Sequence, residues 1–151
     1  MPESIWFVRP TAEEADARGH NTMVSHLGIR VIEVGDDYMR ASMPVNDTTR
    51  QPHGILHGGA SLALAETVGS MAAAWCVDQT RFFCVGLDIN ANHIRAVRDG
   101  VVVATARPLH LGRSTQVWEI IIRDGEERLV SAGRLTMAVM SRTTGPSGSG
   151  R

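Results

Sequence analysis

The chain has 151 residues and a formal net charge of −1, with 43% hydrophobic and 21% charged residues. This length suits one domain with a sizeable core, and the composition is typical of a globular protein. The lack of a basic excess argues against a nucleic-acid-binding protein.

The N-terminus and the cysteines predict a cytoplasmic protein. Residues 1–4 have neither the basic start nor the apolar run of a secretory signal. A reducing compartment would leave Cys76 and Cys84 as free structural thiols. Because no Cys-x-x-Cys pair or paired histidine motif is present, we expect no metal and no cofactor.

Residues 1–28 are predicted to form a helical lead-in. Thr11 followed by Glu14 fits a capping box, and Gly19 is a plausible stop for the helix that it opens. A short helical turn is expected around residues 21–26.

A hairpin and a loop come next. Residues 29–45 are predicted to form a hairpin around a Gly-Asp-Asp turn at 35–37. Residues 38–43 alternate with period two, and Pro44 ends the second strand. Residues 46–56 are polar and contain Pro52 and a glycine, which predicts an irregular loop.

Residues 57–77 carry a single charge, Glu66. At 1.5 Å per residue they would form a helix of roughly 30 Å. Many of them are glycine, alanine or serine, so the segment is too weakly apolar to face lipid. We therefore predict a helix buried inside the protein rather than a membrane span.

The second half of the chain is rich in strands. Asp99-Gly100 and Asp124-Gly125 are predicted hairpin turns. The strands are expected near residues 81–97, 101–111, 114–123 and 127–140. Together with the apolar helix they predict an α+β fold, an antiparallel β-sheet wrapped around one long central α-helix. We expect a single domain over residues 1–141 and a disordered tail over 142–151.

Glu66 is the sharpest chemical signal in the sequence. Its neighbours are apolar and its own helix has no basic residue, so the carboxylate is costly to bury. A carboxylate in such surroundings is a candidate functional group. The alternative is a structural glutamate that pairs with an arginine elsewhere or reaches solvent. Ser70, one turn later on the same face, could hold a water molecule or simply bond back to its own helix.

His57-Gly58-Gly59 opens the helix. Free N–H groups at a helix N-terminus favour negative charge, and glycines allow a ligand carbonyl to approach, as in an oxyanion hole. A glycine pair that merely eases the turn into the helix is the alternative. Gly58 and Glu66 would lie roughly 12 Å apart on one helix. If both act on one bond they must come from different subunits, which predicts a homodimer with shared sites.

These segments resemble the hotdog thioesterases of the phenylacetate-pathway (PaaI) type. The resemblance covers residues 22–140 and is most specific in three motifs. Within the family it is greatest to the 1,4-dihydroxy-2-naphthoyl-CoA and enterobactin proofreading thioesterases. The motifs run from Gln51-Pro52 through His57-Gly58-Gly59 to Glu66-Thr67, from Val85 to His93, and from Pro108 to Arg113.

The resemblance implies a hotdog fold, an acyl-CoA substrate and dimers paired into homotetramers. It implies that Glu66 is the catalytic nucleophile or general base, and that Gly58 donates the oxyanion N–H. The remaining catalytic positions are Gln51 and His57 near the thioester carbonyl and Ser70 near the hydrolytic water.

Substrate-binding residues are expected on both sides of the cleft. His93 would line its acyl or pantetheine side, and Gly112 would let the CoA arm pass close to the backbone. Arginines beside turns could bind CoA phosphates, or they could be solvated surface charge. The predicted set is Gly59, His93, Arg95, His110, Gly112, Arg113 and Ser114.

The expected activity is hydrolysis of aryl-CoA, of the benzoyl or hydroxynaphthoyl type, and of medium-chain acyl-CoA. A non-catalytic acyl-CoA-binding hotdog module is the first alternative. A hotdog hydratase is the second, for which Asp47 and His53 are the nearest acid and base candidates. No nucleic-acid or membrane partner is expected.

Overall fold

The computed structural model describes residues 3–143. The helices are α1 (Ala12–Ala17), α2 (Met23–His26) and α3 (Gly58–Trp75), and the strands are β1 (Arg30–Val34), β2 (Met39–Pro44), β3 (Phe82–His93), β4 (Val101–Leu111), β5 (Thr115–Arg123) and β6 (Leu129–Ser141). Apart from residues 142 and 143, the predicted disordered tail lies outside the described residues.

The six strands form one antiparallel sheet in the order β1-β2-β4-β5-β6-β3. One face of this sheet packs against α3 and the core lies between them. Trp118, Leu64 and Leu135 are fully buried there. The predicted α+β architecture is confirmed, and α3 is the predicted apolar helix, ending at Trp75 rather than at residue 77.

The N-terminal segment is anchored by local and long-range hydrogen bonds. The capping box predicted at Thr11 and Glu14 is present. Asp16 in α1 accepts hydrogen bonds from the Val31 N–H and from Arg30 Nε, each at 2.8 Å, and so ties α1 to β1.

The hairpin prediction at Asp99-Gly100 is wrong. Gly100 does adopt a left-handed turn conformation, with φ 80°. However, β3 pairs with β6, whereas β4 pairs with β2 and β5. A turn dipeptide specifies a local chain reversal, but the pairing partner is decided by long-range packing. The hairpin predicted at Asp124-Gly125 is confirmed, since it joins β5 to β6.

Strand β3 is an edge strand with one bulge. It ends at His93, four residues before the predicted end, because the N–H groups of Ile94 and Arg95 both turn to the Val130 carbonyl. Its register against β6 skips one residue, Leu87, between Gly86 and Asp88.

Candidate active site

The start of α3 presents one free backbone donor. His57 is the N-cap, and its Nδ1 accepts the Gly59 N–H at 2.8 Å. This contact assigns the imidazole proton to Nε2. The N–H of Gly58 has no hydrogen-bond partner within residues 3–143. It is therefore available to an acceptor that approaches the end of the helix.

The His93 ring packs against Gly58. A Cβ atom on Gly58 would lie 2.8 Å from His93 Nε2, so the ring can approach this closely only because residue 58 has no side chain. The glycine therefore matters at this position for close approach rather than for its backbone conformation.

A cleft of about 280 Å³ opens beside Gly58 and His93. Two other predicted site residues, Gln51 and Arg95, line it as well. Ser61, which is 2% exposed, is a further polar wall residue that the sequence reasoning missed. Its position three residues after Gly58 on the same helix face was the available signal.

His57 and Gly59 face a different pocket. It has a volume of about 270 Å³ and its apolar lining includes Met23 and Leu27. The structure therefore separates His57 from the cleft that contains Gly58 and His93, although the three residues are close in the fold.

The Glu66 carboxylate lies farther along α3, against β3. A Cβ atom on Gly86 would lie 2.8 Å from Glu66 Oε1. Glu66 is half-buried, and no arginine or other group in the described part of the chain donates a hydrogen bond to its carboxylate. Residues 3–143 therefore contain no arginine that pairs with Glu66, as a structural glutamate held by an ion pair would require.

Ser70 follows Glu66 on the same side of α3. Its hydroxyl is 3.7 Å from the thioether sulfur of Met137, and Met137 is the register partner of Gly86 on β6. A thioether is a weak acceptor, so this hydroxyl keeps hydrogen-bonding capacity for a water or a substrate.

The bulge at Leu87 places Gly86 and His93 on the same face of β3. Gly86 and His93 are seven residues apart and would point to opposite faces of a regular strand. Because the ladder skips Leu87, Gly86 and His93 both face α3, and their partners on β6, Met137 and Ser131, are both buried. Bulges are common beside active sites for this reason.

The predicted residues of the β4–β5 turn lie away from the Gly58 cleft. Leu111 pairs with Gln116, which pairs with Met137, which pairs with Gly86. Three strand spacings of about 4.8 Å therefore place the turn about 14 Å from Gly86, at the Glu66 end of the sheet. The predicted residues of this turn are His110, Gly112, Arg113 and Ser114.

Two of these turn residues contact each other. The His110 ring packs against Gly112, where a Cβ atom would collide with it. Arg113 is exposed and has no hydrogen-bond or ion-pair partner in residues 3–143.

The cysteines are poor candidates for a nucleophile. Both are free and half-buried, and Cys84 lies two residues before Gly86. Burial raises the pKa of the Cys76 thiol to about 12 and also raises the pKa of Cys84. The thiolate forms are therefore scarce at neutral pH.

The hydratase candidates do not form a pair. The Asp47 carboxylate is fully exposed and accepts a hydrogen bond from Arg50, while His53 is exposed on the same loop. Within residues 3–143 no group of three or more His, Cys, Asp or Glu side chains could hold a metal ion. None of the helices in this range is long and apolar enough to cross a membrane.

Comparison with known proteins gives a family match and similar relatives. The family model described as the thioesterase superfamily matches residues 53–131. The 1,4-dihydroxy-2-naphthoyl-CoA hydrolase of Escherichia coli is 47% identical over 136 residues, covering 90% of this chain and 99% of that protein. The proofreading thioesterase EntH of Cronobacter turicensis is 48% identical over 136 residues, covering 90% and 98%. A mutant thioesterase from Pseudomonas aeruginosa, known from its crystal structure, is 46% identical to this chain. The match covers 92% of this chain and 100% of that chain, with a TM-score of 0.91.

Proposed function

This chain belongs to the thioesterase superfamily and is a hydrolase with the hotdog fold, and on that premise we propose that it hydrolyses acyl-CoA thioesters with Glu66 as its catalytic carboxylate. The predictions of family, fold and enzyme class are thereby confirmed. The observation that carries the proposal is the half-buried Glu66 carboxylate, which has no partner in residues 3–143 and lies on the same β3-facing side of α3 as the free Gly58 N–H.

The chemistry divides between these two groups. The Gly58 N–H binds the carbonyl oxygen as negative charge develops on it. Glu66 either attacks the carbonyl carbon, expelling the CoA thiolate and forming an anhydride that water then hydrolyses, or removes a proton from a water that attacks the carbonyl carbon and expels the thiolate directly. Ser70 orients the hydrolytic water, and Gln51 lies beside the carbonyl in the cleft. A burst of thiol equal to the enzyme concentration would distinguish the nucleophile from the general base.

One chain cannot bring both groups to one carbonyl. Both residues belong to α3, and eight residues of helix separate them by about 12 Å. A reacting carbonyl needs each group at about 3 Å. We therefore propose a homodimer in which Gly58 of one chain and Glu66 of the other form each site, and homotetramers built from such dimers.

Strand β3 supports this dimer as its contact surface. It is a 12-residue strand at the edge of the sheet, and Leu87 on it is 61% exposed. A long apolar edge strand is a template for pairing with another strand. Antiparallel pairing of two copies of β3 would continue the sheet across the dimer.

The register of that pairing follows from the two contacts of α3. Glu66 lies over Gly86 and Gly58 lies under His93, so Gly86 must lie opposite His93 of the second copy. Opposed residues on antiparallel strands point to the same face. Leu87 is bulged in each strand. Gly86 therefore lies opposite His93 of the second copy, with both residues on the same face, when Asn90 lies on the two-fold axis.

This register has a direct test. Asn90→Cys should form an intersubunit disulfide with itself under mild oxidation, because directly opposed Cα atoms are about 4.5–5.5 Å apart. Asn92→Cys, on the same face and equally exposed, lies off the axis and should not. Cross-linked dimers of the Asn92→Cys protein, with none formed by the Asn90→Cys protein, would contradict the register.

The substrate's CoA part is proposed to extend from the Gly58 cleft over a basic surface. Arg95 lines the cleft, and a neighbouring groove that shares Gln51 is lined by Arg98, Arg50 and the Asp47 that pairs with Arg50. Guanidinium groups suit phosphates through charge-assisted hydrogen bonds. In the dimer, the turn holding His110, Gly112, Arg113 and Ser114 is proposed to contact the same substrate from the second chain.

The acyl group is proposed to be aromatic, of the benzoyl or hydroxynaphthoyl type, with medium-chain groups as further substrates. The name of the Escherichia coli relative, a 1,4-dihydroxy-2-naphthoyl-CoA hydrolase, supports this choice. The two free thiols fit a reducing cytoplasm as the place of action.

The test is thiol release from a panel of aryl-CoA and fatty acyl-CoA thioesters by the wild type and Glu66→Gln. We expect hydrolysis that Glu66→Gln abolishes, with kcat/KM highest for aryl groups. Full activity of a pure Glu66→Gln protein would contradict the role of Glu66. Tight binding without hydrolysis by the wild type would favour a non-catalytic acyl-CoA-binding module.

A further inference from the structure

The Glu66 carboxylate packs against Gly86 of β3. An added Cβ atom on Gly86 would come 2.8 Å from Glu66 Oε1, closer than real Cβ contacts, and 3.9 Å from Met137 Sδ, which is an ordinary contact. The methyl group of an alanine at this position would therefore displace the carboxylate and make only an ordinary contact with Met137.

The backbone itself does not require glycine at residue 86. Gly28, Gly54 and Gly100 have positive φ angles, between 73° and 80°, whereas Gly86 does not adopt this left-handed conformation. Glycine inside a strand is unfavourable for folding because it loses more backbone entropy than alanine. What the glycine provides at residue 86 is space beside the carboxylate.

Other glycines near the site differ in what an added Cβ would meet. At Gly69 it would meet the buried Leu135 side chain, and at Gly133 it would meet the Asn90 backbone carbonyl. Those two positions serve packing. Of the glycines in residues 3–143, Gly86 alone has its closest added-Cβ contact with the proposed catalytic carboxylate.

We propose that Gly86 is a positioning residue that sets how deeply the Glu66 carboxylate lies against β3, and hence its distance from the reacting carbonyl. Its register partner Met137 contacts the Ser70 hydroxyl, so the Gly86–Met137 pair supports both Glu66 and Ser70. Within residues 3–143 no hydrogen bond or ion pair holds the carboxylate, so the contribution of its own chain to its position is the steric contact with β3. This inference rests on the proposed catalytic role of Glu66.

The direct test is Gly86→Ala in the full-length protein. The end of the flexible Glu66 side chain can move, so the variant should fold with an unchanged or higher melting temperature. Displacement of a catalytic group by about 1 Å can cost on the order of 10²-fold, so kcat should fall by about 10- to 100-fold with little change in KM. The matched control is Gly125→Ala, where an added Cβ meets nothing within 4 Å and kcat should be unchanged.

A second variant separates positioning from general damage. Glu66→Asp withdraws the carboxylate by one methylene and should lower kcat in the wild-type background. In the Gly86→Ala background the shorter side chain leaves room for the added methyl group, so the double variant should be no slower than the slower single variant. If the two substitutions acted independently, their fold-losses in kcat would multiply in the double variant.

The outcomes distinguish this inference from the proposed function. Loss of turnover in Glu66→Gln with wild-type kcat in Gly86→Ala would overturn the role of Gly86 alone. Unfolding of Gly86→Ala, or multiplying losses in the double variant, would also overturn it. Full turnover by Glu66→Gln would overturn the proposed function and this inference together.

Discussion

The two ends of the β3-facing side of α3 are built differently. At Gly58 the chain supplies a free N–H, the neighbouring His93 ring and a cleft, which are the parts of the proposed carbonyl binding site. At Glu66 the chain supplies a carboxylate that packs against Gly86 and has no polar partner in residues 3–143. In the proposed mechanism the Gly58 end binds the carbonyl and the Glu66 end reacts with it. Each active site then takes the Gly58 end from one subunit and the Glu66 end from the other.

After the complete loss expected for Glu66→Gln, the largest expected effect comes from altering Gly58. In Gly58→Ala the Cβ atom displaces His93 and keeps the carbonyl away from the N–H, and loss of an oxyanion donor typically lowers kcat about 10²- to 10³-fold. Steady-state kinetics on an aryl-CoA substrate measure this loss. A kcat within twofold of the wild type, in a variant of normal melting temperature, would remove Gly58 from the mechanism.

A smaller effect is expected at the mouth of the same cleft. Arg95→Ala should raise KM by about tenfold with kcat unchanged, because a phosphate contact contributes equally to ground and transition states. The matched control is Arg134→Ala, which removes an exposed arginine from the opposite face of the sheet. Equal changes in KM for the two variants would indicate a general charge effect instead.

Away from α3, the N-terminal segment should affect stability alone. Asp16→Ala leaves the buried Val31 N–H without its acceptor and removes the pairing with Arg30, at a cost of about 2 kcal/mol in the free energy of unfolding. Asp16→Asn keeps an acceptor oxygen and should lose less. Urea denaturation measures both, and a fall in kcat of the folded Asp16→Ala protein would show that α1 contributes to the site.

The smallest effect is expected at the helix cap. Thr11→Ala removes the side-chain acceptor of the capping box and should cost about 1 kcal/mol, again without loss of turnover. Glu14→Gln keeps the reciprocal bond to the Thr11 N–H and should be nearly neutral. A cost in Glu14→Gln as large as that in Thr11→Ala would point to the charge of Glu14 rather than to the cap.

Local signals in the sequence were sufficient for much of the fold. The capping box at Thr11, the charge-poor helix around Glu66 and the hairpin at Asp124-Gly125 depend on neighbouring residues, and all three are found. The Asp99-Gly100 hairpin failed because its turn chemistry says nothing about which strand β4 joins. Strand order is set by packing across the whole sheet.

The residues of the proposed site could be named from the sequence, but their arrangement could not. Glu66 and Gly58 were predicted from their types and positions on one helix, and their roles stay predictions. Gly86 was missed as the support of Glu66, because nothing in its sequence neighbours reveals a contact across α3 and β3. Strict alternation would also have placed Gly86 and His93 on opposite faces, since a bulge at Leu87 has no reliable signal in a single sequence.

The most direct measurement of the shared site is complementation between two inactive chains. Gly58→Ala and Glu66→Gln proteins are mixed, dissociated and reassembled, and thiol release from an aryl-CoA is followed. If each site combines Gly58 of one chain with Glu66 of the other, random reassembly gives half heterodimers with one intact site each, and so about a quarter of wild-type turnover. Formation of heterodimers, verified by affinity tags, without any recovery of turnover would contradict a site shared between subunits.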